Sequence, residues 1–102
     1  MAEPLSWQTQ GETLFLQGEL DRVTLLSLWE QRENLLQDIH FLDVSRLDRV
    51  DSAGVAMLLH LYALQEQRGV ALTLTGVTEK LRTLIALYKL DNILPCADDS
   101  PV

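Results

Sequence analysis

Cysteine is almost absent from the chain. The one thiol, Cys96, excludes an internal disulfide and any multi-cysteine metal site. It stands in the tail, outside any triad-like grouping, so a plain thiol is expected there rather than a nucleophile. Basic residues are scarce as well. Eight Lys and Arg against fifteen Asp and Glu leave a net charge of −7. That balance argues against contact with nucleic-acid phosphates and against adhesion to an anionic bilayer. It suits a partner with a basic face. No long hydrophobic run occurs. The longest, Val55 to Leu64, is interrupted by His60 and falls far short of the roughly 20 apolar residues of a membrane span. The opening Met1-Ala2-Glu3-Pro4-Leu5 has no basic region followed by an apolar run, so it does not read as a signal peptide. The expectation is a cytoplasmic chain that neither binds nucleic acid nor inserts directly into a membrane.

The signatures of common catalytic sites are missing too. There is no G-x-S-x-G elbow, no phosphate-binding P-loop and no G-x-G-x-x-G. Asp43, Asp48 and Asp51 follow neither the EF-hand spacing nor a magnesium-dependent phosphotransfer pattern completed by a lysine. Arg46 and Arg49 are interspersed among them, which predicts a solvated ionic loop. His40 and His60 lack metal-ligand partners at short spacing. A triad of Ser52 with Asp38 and His40 would require unusual folding. The residues thus predict no catalytic group, no metal and no cofactor.

What the chain does have is a core. Hydrophobic residues make up 47% and charged residues 23% of 102 positions, which suits one compact domain. The domain is expected to span residues 1–102, with an ordered core over about 4–95 and a short tail over 96–102. Residues 4–9 and 13–18 read as a hairpin across Gln10-Gly11-Glu12. Gly18 and Asp21 mark a break. A helix from about Arg22 to Leu36 follows, with Asp21 as its N-cap. Its apolar face carries Leu25, Leu28, Trp29, Leu35 and Leu36, while Val23 and Leu26 fall off that face. Residues 40–45 read as an inner strand, 52–67 as a helix ended by Gly69, 70–76 as a strand and 79–89 as a helix capped by Thr78. Pro95 and the residues after it end the domain. The order β-β-α-β-α-β-α implies an α/β fold, a four-stranded mixed sheet packed by about three to four helices.

The middle helix is apolar nearly all round. Val55, Leu58, Leu59 and Tyr62 cluster on one side, and Met57, Leu61 and Leu64 about 120° away. Only a narrow stripe with His60 and Gln67 is polar. Such a helix must be covered on more than one side. Either the neighbouring helices complete the cover, or part of the surface, with Trp29 of the first helix, faces a partner.

The helix begins at Val50-Asp51-Ser52-Ala53-Gly54, which is the expected functional edge. Three roles are open to Ser52. Its hydroxyl suits an N-cap, worth about 1 kcal/mol, a partner contact, or a phosphosite at the favourable end of the helix dipole. Asp51 beside it would oppose a phosphate. Gly54 costs about 1 kcal/mol relative to Ala in a helix, which makes sense if something approaches the backbone closely.

The motif Asp51-Ser52-Ala53-Gly54, preceded by the strand Phe41-Leu42-Asp43-Val44-Ser45 and followed by an apolar helix, resembles the STAS domain. That family includes the anti-sigma factor antagonists, in which the serine of Asp-Ser-x-Gly is phosphorylated. The role maps onto Ser52, although the antagonists typically carry a second serine where this chain has Ala53. Leu5-Ser6-Trp7, Gly18-Glu19-Leu20-Asp21, Leu28-Trp29-Glu30, Leu58-Leu59-His60-Leu61, Leu72-Thr73-Leu74 and Leu87-Tyr88-Lys89-Leu90 resemble one branch more closely. That branch comprises cytoplasmic STAS subunits of the Mla phospholipid transporters of Gram-negative bacteria. The resemblance implies a non-enzymatic subunit, peripheral at the inner membrane, that binds the ABC ATPase subunit MlaF and supports its assembly and activity. MlaF works with the permease MlaE and the substrate-binding MlaD in maintaining outer-membrane lipid asymmetry. It also implies a partner surface comprising Ser52, Trp29, Asp51, Ala53 and Gly54. The alternative it leaves open is an anti-sigma factor antagonist switched by phosphorylation of Ser52.

Overall fold

In the computed structural model, residues 5–90 and 93–94 are described. The readings made for Pro95, Cys96 and the tail lie outside them. The chain begins with a hairpin of β1 (Ser6–Gln10) and β2 (Thr13–Leu20), paired antiparallel from Ser6↔Gln17 to Gln10↔Thr13. Gly11 turns it with φ of +62°. Helix α1 (Leu25–Leu35), strand β3 (Phe41–Val50), helix α2 (Ser52–Gln67), strand β4 (Thr73–Thr75) and helix α3 (Glu79–Leu87) follow. The sheet has the order β1-β2-β3-β4, with β3 parallel to both β2 and β4. The expected four-stranded mixed sheet is therefore present, with three helices among the described residues.

One face of the sheet is buried beneath the helices. Leu14, Leu16 and Leu20 from β2 alternate inward, as do Leu42, Val44 and Leu47 from β3. They form one core with Leu28 of α1, Val55, Met57, Leu58 and Leu61 of α2, and Leu81 and Ile85 of α3. The row Gln8, Phe15, Asp43 and Thr75 lies on the other face. Asp43 ties that row together: its carboxylate accepts from the Ser45 N–H and hydroxyl at 3.0 and 2.6 Å and from the Thr75 hydroxyl at 3.1 Å.

Several boundaries move. β3 does not end at Ser45 in a polar loop. It continues to Val50, because β2 goes on pairing with it through Gln17↔Arg46, Gly18↔Leu47 and Leu20↔Val50. Register shifts beside Gly18 absorb the irregularity, and Gly18 itself extends β2 at φ of +102° instead of breaking it. The expected ionic loop is replaced by strand: Asp43 bonds to Ser45 and Thr75, and the Arg46 guanidinium lies 5.2 Å from the Phe15 ring centroid. α1 starts three residues later than expected. Asp21 instead caps the turn before it, accepting from the Val23 and Thr24 N–H groups at 2.9 Å each. β4 is shorter because Gly69, at φ of +80°, closes α2 in a Schellman motif. The Val70 N–H is thereby spent on the Gln65 carbonyl. α3 stops at Leu87, where Lys89 takes up the left-handed conformation, and Tyr88 is left exposed.

Buried Gln65 pins the far end of this assembly. Its Nε2 donates to the Leu36 and Ile39 carbonyls at 2.8 and 2.7 Å, satisfying the loop between α1 and β3.

Candidate functional site

The chain leaves β3 at Val50 and turns into α2 at Asp51. Because the strand runs that far, the last extended residue is Asp51 (φ −102°, ψ −173°), and the cap falls on it, not on Ser52. Its carboxylate accepts from the Gly54 N–H at 2.9 Å. Its own N–H donates to the Leu20 carbonyl at 3.3 Å, fastening the helix start to the end of β2. Ser52 becomes the first helical residue. It is exposed, and its hydroxyl makes no hydrogen bond among the described residues.

Gly54 is buried, and the approach that requires glycine is internal. A Cβ there would press into the Leu20 carbonyl oxygen and come within 2.8 Å of Val50 Cγ1. Asp51 and Gly54 thus set the height and angle of α2 over the sheet.

Most of α2 is covered by its own domain. Val55, Met57, Leu58 and Leu61 are buried, and Leu59, Tyr62 and Leu64 pack partly against the core. What stays open is a line of small and polar residues: Ser52, Ala56, His60, Ala63 and Gln67. Their spacing of three and four keeps them on one face. Beside that line, α1 presents Leu26, 59% exposed, with Val23 as exposed as expected just before the helix. Leu25, Leu26 and Trp29 of α1 and Ala53, Ala56, Met57 and His60 of α2 line a shallow apolar groove of about 350 Å³.

Trp29 is half-buried at one wall of this groove. The His60 ring meets it edge-on, with centroids 5.4 Å apart and planes at 73°. The Arg32 guanidinium covers it at 3.7 Å. The structure therefore brings Trp29 and Ala53 into one depression and puts Ser52 one turn before Ala56 along its open side. Asp51 and Gly54 lie beneath the helix start and hold it. Leu25, Leu26, Ala56, Met57 and His60 complete the groove without having stood out in the sequence as contacts; the spacing Ser52-Ala56-His60 was the available signal. A larger cleft of about 600 Å³ lies between the end of β3 and α3, lined by Asp48, Arg49, Lys80 and Leu84 among others. Ser52 and Trp29 do not line it.

Among the described residues no group of three His, Cys, Asp or Glu is placed to hold a metal ion. Asp21, near the helix start, has its carboxyl held below the usual range, chiefly by the Thr24 N–H and then by the Val23 N–H, the Thr24 side chain and the Arg49 charge, against a desolvation that raises it. Desolvation, and then the Glu66 carboxylate, push the Tyr62 hydroxyl up. No helix among the described residues is long and apolar enough to cross a membrane.

Comparison with known proteins gives the arrangement a family. Residues 5–95 match the family described as "Mlab, STAS domain". The chain is 49% identical over 96 residues to the intermembrane phospholipid transport system binding protein MlaB of Escherichia coli, covering 93% of this chain and 99% of that one. It is 34% identical over 98 residues to the MlaB of Haemophilus influenzae, covering 86% and 93%. Among solved structures, an anti-sigma factor antagonist from Mycobacterium paratuberculosis superposes with a TM-score of 0.71 at 20% identity, covering 94% of this chain and 89% of the other. The unphosphorylated form of the anti-sigma factor antagonist SpoIIAA gives 0.66 at 16%, with the same coverage. At those identities the two structures speak for the fold alone.

Proposed function

Since this chain belongs to the Mlab-type STAS domain family, we propose that it is a non-enzymatic subunit of an intermembrane phospholipid transport system. In this reading it docks on the system's ABC ATPase, MlaF, through the α1–α2 groove. There it supports assembly and activity of a complex with the permease MlaE and the substrate-binding MlaD. It resides in the cytoplasm and reaches the inner membrane only through that complex. The process served is phospholipid movement that maintains outer-membrane asymmetry. The observation carrying the reading is the 49% identity to a transport-system MlaB over nearly its whole length. An apolar groove flanked by a half-exposed tryptophan gives it a physical basis, since aromatic anchors dominate binding energy in such patches. Ser52 and Trp29 are the contacts proposed to carry the docking. Ala53 forms part of the groove wall, and Asp51 and Gly54 fix the helix that presents it. Co-purification of the ATPase with tagged protein tests this. Trp29→Glu and Ser52→Arg are expected to abolish capture while the free domain stays folded; capture by both variants at the level of the parent would sink the surface.

A second reading has one observation in its favour: the free, exposed Ser52 hydroxyl on the first turn of a helix. A phosphate there would meet the positive end of the helix dipole, as in an antagonist switched by a kinase. Asp51 opposes it. Intact-mass measurement of protein isolated under several growth conditions decides between modified and unmodified Ser52.

A further inference from the structure

We infer that Arg32 is a positioning residue for the docking groove, clamping the Trp29 indole in the orientation that a partner meets. The inference rests on the docking reading above. Residues 29 and 32 are three apart on α1, so their side chains share a face. Two contacts join them. The guanidinium carbon lies 3.7 Å from the indole centroid, and Nη1 donates to the Trp29 carbonyl at 2.6 Å. One group thus grips both the ring and the backbone of the same residue. Arg32 is half-buried, and no carboxylate among the described residues lies within ion-pair distance of it. Its burial therefore serves the indole and not a salt bridge.

The indole needs such a grip. Trp29 is only half-buried, so packing against the core covers part of the ring and leaves the rest to its neighbours. The His60 ring, edge-on at 5.4 Å, supports it from α2. Arg32 stacks on it from its own helix. What remains of the ring lines the groove with Leu26, Ala53 and Ala56. An aromatic anchor held in its bound orientation loses less side-chain freedom on association, and affinity rises by that saving. Only a planar, multiply donating cation stacks and hydrogen-bonds at once, so lysine is not equivalent here.

The test uses the full chain with Trp7→Phe, which leaves Trp29 as the sole tryptophan of the two. Arg32→Met keeps an apolar stem and removes the guanidinium; Arg32→Lys keeps the charge. Melting temperature, acrylamide quenching of Trp29 emission and affinity for the purified ATPase are measured for each. The expected result for Arg32→Met is a near-parental melting temperature, stronger quenching, and affinity weaker by about threefold to fivefold. Arg32→Lys should fall between it and the parent. If Arg32→Met leaves quenching unchanged, there is no clamp. If quenching rises and affinity stays the same, holding the ring does not matter for docking, and the inference fails. If Arg32→Met does not fold, Arg32→Lys alone decides on the same criteria. Trp29→Ala separates the two levels. Binding unchanged in Trp29→Ala overturns the docking reading itself, and the inference with it. Binding lost in Trp29→Ala but unchanged in Arg32→Met overturns the inference alone.

Discussion

Replacing Gly54 by alanine asks whether the tight approach at the start of α2 is internal or belongs to a partner. Helix propensity alone favours the substitution by about 1 kcal/mol. Space opposes it. The new methyl would press into the Leu20 carbonyl oxygen and sit 2.8 Å from Val50 Cγ1 and 3.1 Å from Leu20 Cγ. Val50 can turn a methyl aside, but the Leu20 carbonyl is strand backbone and already accepts the Asp51 N–H. Either α2 rises off the sheet or β2 bends, and overpacking against backbone falls in the upper part of the usual range, about 2 to 3 kcal/mol. After the propensity gain, a net loss of about 1 to 2 kcal/mol is expected, or roughly 5 to 15 °C in melting temperature for a domain of this size. Urea and thermal unfolding of the isolated domain read this directly, and Ala56→Gly gives the propensity cost on the same helix at an exposed site. An alanine variant as stable as the parent, yet unable to bind the ATPase, would refute the reasoning. It would mean that the glycine makes room for a partner.

Other substitutions separate roles that lie close together. Asp51→Ala should cost about 1 kcal/mol of stability through the lost cap, while Ser52→Ala should change stability by less than about 0.5 kcal/mol; equal losses in urea unfolding would contradict the assignment of the cap. Gln65→Leu removes the donor to two buried carbonyls, at 2.8 and 2.7 Å, and should cost about 2 to 4 kcal/mol in the same assay. The Asp21 carboxyl has a lowered pKa in the fold, so its contribution is complete above the ordinary carboxylate value near 4 and is lost as pH falls through the lower folded value. Stability profiles of the parent and Asp21→Asn should therefore differ at neutral pH and converge in acid; a constant gap down to acid would exclude the linkage.

The sequence was most legible where periodicity and turn chemistry agree. The hairpin across Gly11, the span Ser52–Gln67, the Thr78 cap and the exposure of Val23 and Leu26 follow from local pattern. It was least legible where a distant strand decides. Ser45 to Val50 holds charges that read as loop, yet pairing with β2 keeps them extended. That extension moves the cap from Ser52 to Asp51. The Gln65 bonds to Leu36 and Ile39 join residues 29 and 26 positions apart, and nothing in the local pattern of α2 announces them. The candidate edge shows the same division. Ser52 and Trp29 stood out by type, whereas the groove between them depends on how α1 crosses α2. The crossing leaves Ala56 and His60 open while Leu58 and Leu61 are covered.

Whether the ATPase docks in the α1–α2 groove is decided by Ala56→Arg. Ala56 is exposed, lines the groove, and sits on a helix that tolerates arginine well. Affinity for the purified ATPase is compared with that of Leu87→Arg, which puts the same charge at a 68% exposed site on α3. Loss of at least about a hundredfold in affinity for Ala56→Arg is predicted, about 3 kcal/mol or more, with an unchanged melting temperature and parental binding by Leu87→Arg. Parental affinity in a folded Ala56→Arg variant would contradict docking there.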